Sequence, residues 1–184
     1  MKKNKKKVNI EPGVGFLSYL PAIPYKAWYA LAEFVDNSLQ SYLDNKSKLK
    51  NLHGKNWKLR IGIYMTKSKI QIIDNAAGIN EKDYSRAFKA AARPEKKQGL
   101  SEFGMGMKTA ALWFSTGFEV QSTALGEKVE RTIKFDLNKA LDEGTAKHKP
   151  KVESAVVNQH GTTVTLNQLR RIHTGSSKKK IKKI

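Results

Sequence analysis

Glu33, Asp36 and Asn37 lie within WYALAEFVDNSLQSY, Trp28 to Tyr42, whose remaining residues have the composition of a buried helix. Glu33 and Asn37 are one helical turn apart and share a face. One could orient a water, and the other could coordinate a hard cation through its side-chain oxygen. A polar helix face turned to solvent has the same spacing, so the chemistry must be sought together with partners downstream. Asp74 is one such partner. It stands where a strand-like run enters the glycine-containing turn DNAAGI, residues 74–79, an edge that commonly borders a ligand site but can simply reverse the chain. Gly104 and Gly106 open the apolar run GMGMKTAALWF. A glycine-rich helix entry lets backbone N–H groups close on phosphate oxygens, and Lys108 adds a cation. The P-loop pattern fails because Met107 stands where glycine must precede Lys-Thr, and the dinucleotide pattern fails because Thr109 occupies its third glycine.

These residues need elements to position them. Ala27, Leu31, Phe34, Val35 and Leu39 recur at helical intervals and predict a helix from Tyr25 to Asn45, followed by a lysine-rich link, Lys46 to Asn56. Trp57 to Met65 alternates as a half-buried strand, and Lys69 to Asp74 reads as its antiparallel neighbour. Glu81 to Ala92 is expected to be helical, and ARPEKKQGLSEFG lacks periodicity and is long enough for a lid. Strands are expected at Gly117–Ala124, Lys128–Asp136, Lys151–Val157 and Thr162–Leu169, with a short helix near Leu137–Leu141. Residues 8–24, with Pro12, Pro21 and Pro24 among apolar side chains, read as an extended arm lying on its own domain or strapped to a partner. The order predicts an α/β (α+β) two-layer sandwich, a mixed sheet with helices on one face.

The 184 residues suit one domain with a full core. No run approaches the length of a membrane span and the lysine-rich N-terminus lacks the apolar stretch of a signal peptide, so a cytoplasmic protein is expected. Without cysteine there are no disulfides or thiolate metal sites, and His53, His148, His160 and His173 are scattered along the chain. More than half of the formal charge of +19 comes from lysines at residues 2–7 and 178–183. Such runs keep a protein soluble or attract nucleic acid without choosing its sequence.

Taken together, E-x-x-D-N at Glu33–Asn37, D-N-A-A-G at Asp74–Gly78, F-G-M-G-M-K at Phe103–Lys108 and G-T at Gly161–Thr162 resemble the GHKL ATPases. That superfamily includes gyrase B, the large heat-shock chaperones, histidine kinases and MutL; the MORC-like and chaperone-like branches look closest. The resemblance implies a Bergerat ATP-binding fold over residues 25–170, with a mixed, mainly antiparallel sheet, flanked by a basic arm at 1–24 and a basic tail or linker at 171–184. It implies ATP and Mg²⁺ as ligands, with Glu33 as general base and Asn37 as the magnesium ligand. Asp74 would accept from the adenine amino group, Gly78 would admit the base, Ile79 would pack near it, and Thr162 would support Asp74. Gly104, Met105, Gly106, Met107 and Lys108 would surround the phosphates; Ser41, one turn beyond Asn37, is a weaker assignment.

Two departures stand out. Ala76 replaces a glycine of the family's adenine motif, and no transducer domain follows to supply a lysine to the γ-phosphate. The second suggests a fragment of a longer, DNA-related protein or a stand-alone module with slow turnover. Two functions are therefore expected to compete. The first is a Mg-dependent ATPase switch with a lid at 93–103 and an ATP-dependent homodimer; the second is a basic nucleic-acid-binding module whose nucleotide pocket is silent.

Overall fold

The computed structural model describes residues 13–88 and 106–171. The basic termini, the loop expected to form a lid, and the site candidates Gly104 and Met105 lie outside the described residues.

Helix α1 runs from Ala27 to His53. Ala30, Leu31, Phe34, Ser38 and Leu49 form its buried stripe, and the helix ends where the Gly54 N–H donates to the Lys50 carbonyl at 2.9 Å. It continues eight residues beyond the expected end at Asn45, because Lys46–His53 contains no glycine or proline and Leu49 anchors it in the interior. Lys50 and His53 in its last turn also suit the negative end of the helix dipole. Ahead of α1, Val14–Ala22 forms a 3₁₀ segment rather than an extended arm. Its short i to i+3 turns accommodate Pro21 and bury Leu20 and Pro21. The Trp113 indole N–H holds the chain that follows by donating to the Ile23 carbonyl at 3.0 Å.

Strands β1 (Ile61–Met65), β2 (Ile70–Asp74), β3 (Ser115–Thr123), β4 (Val129–Asp136), β5 (Lys151–Ser154) and β6 (Gly161–Leu169) form one sheet in the order β1-β2-β6-β3-β4-β5. Every pairing is antiparallel, so the expected mixed sheet has no parallel pair among the described residues. β1 starts later than its alternation suggests because Trp57 closes a turn onto the Gly54 carbonyl. β5 stops at Ser154, leaving Val156 and Val157 exposed in a turn. Helices α2 (Glu81–Phe88), α3 (Gly106–Phe114) and α4 (Leu137–Asp142) complete the described elements.

The two-residue period decides which face is buried. Ile70 and Ile72 of β2, Val164 and Leu166 of β6, and Phe118 and Val120 of β3 are buried together with Leu31, Phe34 and Leu112 of the helices. Register places Ile72 beside Val164, and Val164 beside Val120. Each fully buried side chain of this size contributes about 1.5–3 kcal/mol. The insertion of β6 between β2 and β3 matters most for the site, since it sets Thr162 directly against both Asp74 and Ser122.

Candidate functional site

A cavity of about 280 Å³ opens between α1, the turn after β2, the start of α3 and β6. Asn37, Ser41, Asp74, Gly78, Ile79, Gly106, Met107 and Thr162 all line it, although more than 120 residues separate the first from the last.

At the buried end, Asp74 is held by three donors. Ser38 Oγ donates to Oδ2 at 2.7 Å, and the Ala76 and Thr162 backbone N–H groups donate to Oδ1 at 2.8 and 3.2 Å. Burial raises the carboxyl above its ordinary range, while these donors and nearby His160 oppose that rise. The result is an oriented acceptor set in an apolar wall of Phe34, Ile72, Ile79 and Val164, the chemistry that a flat heterocycle with an exocyclic amine requires.

The turn beyond Asp74 is pinned from several sides. Asn75 Oδ1 accepts from the Arg60 N–H at 2.7 Å, the Ala77 carbonyl accepts from the Leu125 N–H at 2.8 Å, and the Ile79 N–H donates to Ser122 Oγ at 2.9 Å. Gly78 has φ of 68°, and a Cβ there would run into the Thr123 carbonyl. Only glycine fits that combination of backbone conformation and close approach. Ala76 is fully buried without a positive φ, and its carbonyl lies 2.6 Å from His160 Nδ1.

At the other end, α1 presents Asn37 and Ser41 to the cavity. Ser41 Oγ is buried and has no hydrogen-bond partner among the described residues. A buried hydroxyl left in that state normally costs about 1–3 kcal/mol, so its place is intelligible if a ligand satisfies it. Glu33 abuts Gly106: a Cβ on Gly106 would lie 2.8 Å from the Glu33 carboxyl carbon and closer still to one of its oxygens. The Tyr25 hydroxyl donates to the other oxygen, Oε1, at 3.3 Å. Burial raises Glu33 above the usual carboxylate range, the Tyr25 bond opposes this, and Asp36 adds to it. Glu33 is not itself among the residues lining the cavity and meets it only through Gly106, but a half-buried carboxylate raised in this way is suited to accept a proton.

Lys108 is placed differently from expectation. The whole run Lys108–Phe114 is buried, and Lys108 Nζ donates to the Ala87 carbonyl of α2 at 2.8 Å instead of lining the cavity. Burial lowers its ammonium to about 8. Ser38, Ser122 and Tyr25 were not recognised in the sequence as site residues. Ser38 and Ser122 leave one trace there, as small hydroxyl residues at positions whose period places them in the core; Tyr25 leaves none.

The donor set suits a nucleotide with a divalent ion. Asn37 offers a neutral oxygen, Ser41 a buried hydroxyl, and Asp74 an oriented acceptor at the apolar end. No helix among the described residues is long and apolar enough to cross a membrane. A family model described as histidine kinase-, DNA gyrase B-, and HSP90-like ATPase matches residues 25–170. No curated protein matches the chain.

Proposed function

The chain belongs to the histidine kinase-, DNA gyrase B-, and HSP90-like ATPase family, which implies ATP binding, and from that premise we propose that it is a Mg-dependent ATPase acting as a nucleotide-driven switch. The observation that carries this reading is the buried Ser41 hydroxyl, without a hydrogen-bond partner among the described residues, on the same cavity as the Asn37 amide and the thrice-bonded Asp74 carboxylate. Asp74 accepts from the base amine, and Gly78 and Ile79 give the base its flat, apolar berth. Asn37 would hold the magnesium ion, whose charge would offset that of the phosphates. Gly106 and Met107, at the start of α3, lie along the phosphates, with Gly104 and Met105 assigned to the same role. Lys108 serves this wall by securing it to α2 through Ala87. Glu33 takes the proton of the attacking water, and Tyr25 keeps its carboxylate in place.

The test is a pair of substitutions. Glu33→Gln should retain ATP binding within about threefold and lose turnover by about 10²- to 10⁴-fold; unchanged turnover would remove Glu33 from the role of base. Asn37→Ala should weaken binding of Mg-ATP far more than that of metal-free ATP. Two copies of the chain associate when nucleotide is bound, so sedimentation should show an ATP-dependent dimer. The formal charge of +19 also supports nucleic acid as a partner of the cycle. That binding should weaken steeply with salt and depend on the terminal lysines.

A further inference from the structure

Outside the nucleotide cavity, His53 at the end of α1 and His160 in the loop before β6 meet across the surface, with their Nε2 atoms 2.6 Å apart. His160 is preset as an electron-pair donor. Its Nδ1 lies 2.6 Å from the Ala76 carbonyl, an acceptor only, so Nδ1 carries the proton and Nε2 of the neutral ring is left with a lone pair. A backbone carbonyl on the far nitrogen is the arrangement that orients metal-bound imidazoles. His53 is steadied from the side, its ring stacked on Trp57 at 5.7 Å and 17°.

We propose that His53 and His160 form a two-imidazole site for a zinc ion, separate from the nucleotide cavity. Zinc–nitrogen bonds of about 2.0–2.1 Å in tetrahedral geometry require nitrogens roughly 3.3 Å apart. His53 is exposed at a helix end, and a displacement under about 1 Å provides that spacing. It would then carry its own proton at Nδ1. No group of three or more His, Cys, Asp or Glu is placed to hold a metal among the described residues, so water completes the shell. The Asp74 carboxylate interacts favourably with positive charge at His160, whereas Lys50, Lys55 and Lys58 line the adjoining groove and oppose it. The affinity is accordingly modest. A bound ion joins the end of α1 to the imidazole that contacts the Ala76 carbonyl.

Zinc chloride titrated into the full chain by calorimetry, without nucleotide or magnesium, should report one site. His53→Ala and His160→Ala should each weaken it by at least about tenfold, whereas His148→Ala and His173→Ala should leave it unchanged. Zinc should also raise the thermal midpoint of the unaltered chain, reversibly with EDTA, and should fail to do so in His53→Gln, a change at an exposed position. No zinc binding, an affinity in the His53 and His160 variants unchanged from that of the unaltered chain, or loss only on replacing His148 or His173 would overturn the site and leave a proton-sharing pair.

Discussion

Ser38 Oγ donates to Asp74 Oδ2 at 2.7 Å, joining the middle of α1 to the end of β2 across 36 residues. The same hydroxyl also contacts the Phe34 carbonyl at 3.1 Å, so it is held from its own helix as it orients the acid. Ser38→Ala should cost about 1–2 kcal/mol of stability and weaken ATP about three- to tenfold, because Asp74 loses a donor and becomes harder to ionise. Urea denaturation and calorimetry read the two effects. Unchanged ATP affinity would remove Ser38 from base recognition.

Ser41→Ala should act in opposite directions on the free and bound chain. Removing a buried hydroxyl that has no partner among the described residues should leave the nucleotide-free protein as stable as before, or up to about 1 kcal/mol more stable. Mg-ATP affinity should fall, by about three- to tenfold. Equal affinity in both proteins would mean that the hydroxyl meets no ligand.

Gly78→Ala places a side chain against the Thr123 carbonyl at a φ of 68°. Backbone cannot yield there as the tip of a side chain can, so the loss should reach about 2 kcal/mol or more. Guanidinium denaturation tests this directly; a loss under about 0.5 kcal/mol would show that the turn relaxes.

Tyr25→Phe removes a hydroxyl that lowers the Glu33 carboxyl. Turnover should fall about tenfold with little change in ATP affinity. The acid limb of the pH–rate profile should move to higher pH, because Glu33 then holds its proton longer. A purely structural role for Tyr25 would leave that limb in place.

Lys108 makes stability depend on alkaline pH. Its ammonium is lowered by burial from 10.5 to about 8, so between those values the folded chain binds fewer protons than the unfolded chain. Stability from this group therefore rises with pH across that window, and the burial cost is fully present below it. In urea titrations against Lys108→Met, the difference should shift toward the unaltered chain as pH rises through the window. A flat difference would show that the ammonium keeps its charge.

Much of this was legible along the chain, because neighbouring residues carry it. The apolar stripe of α1 marks a helix, the alternation of β2, β3 and β6 marks strands, and the four motifs mark the family. The bounds that moved did so for local reasons with distant partners. Leu49 finds a core to enter and prolongs α1, while Trp57 packs on Tyr42 and His53 and delays β1.

By itself the sequence determined which residue types were available for nucleotide chemistry, and that Glu33 and Asn37 share one face, since helical periodicity is a property of near neighbours. Only the tertiary structure decided that β6 lies between β2 and β3, that Ser38 and Thr162 converge on Asp74, that Lys108 turns to Ala87, and that two histidines 107 residues apart touch. Those outcomes depend on which buried faces pack together across the whole chain, a global free-energy choice that no local spacing encodes.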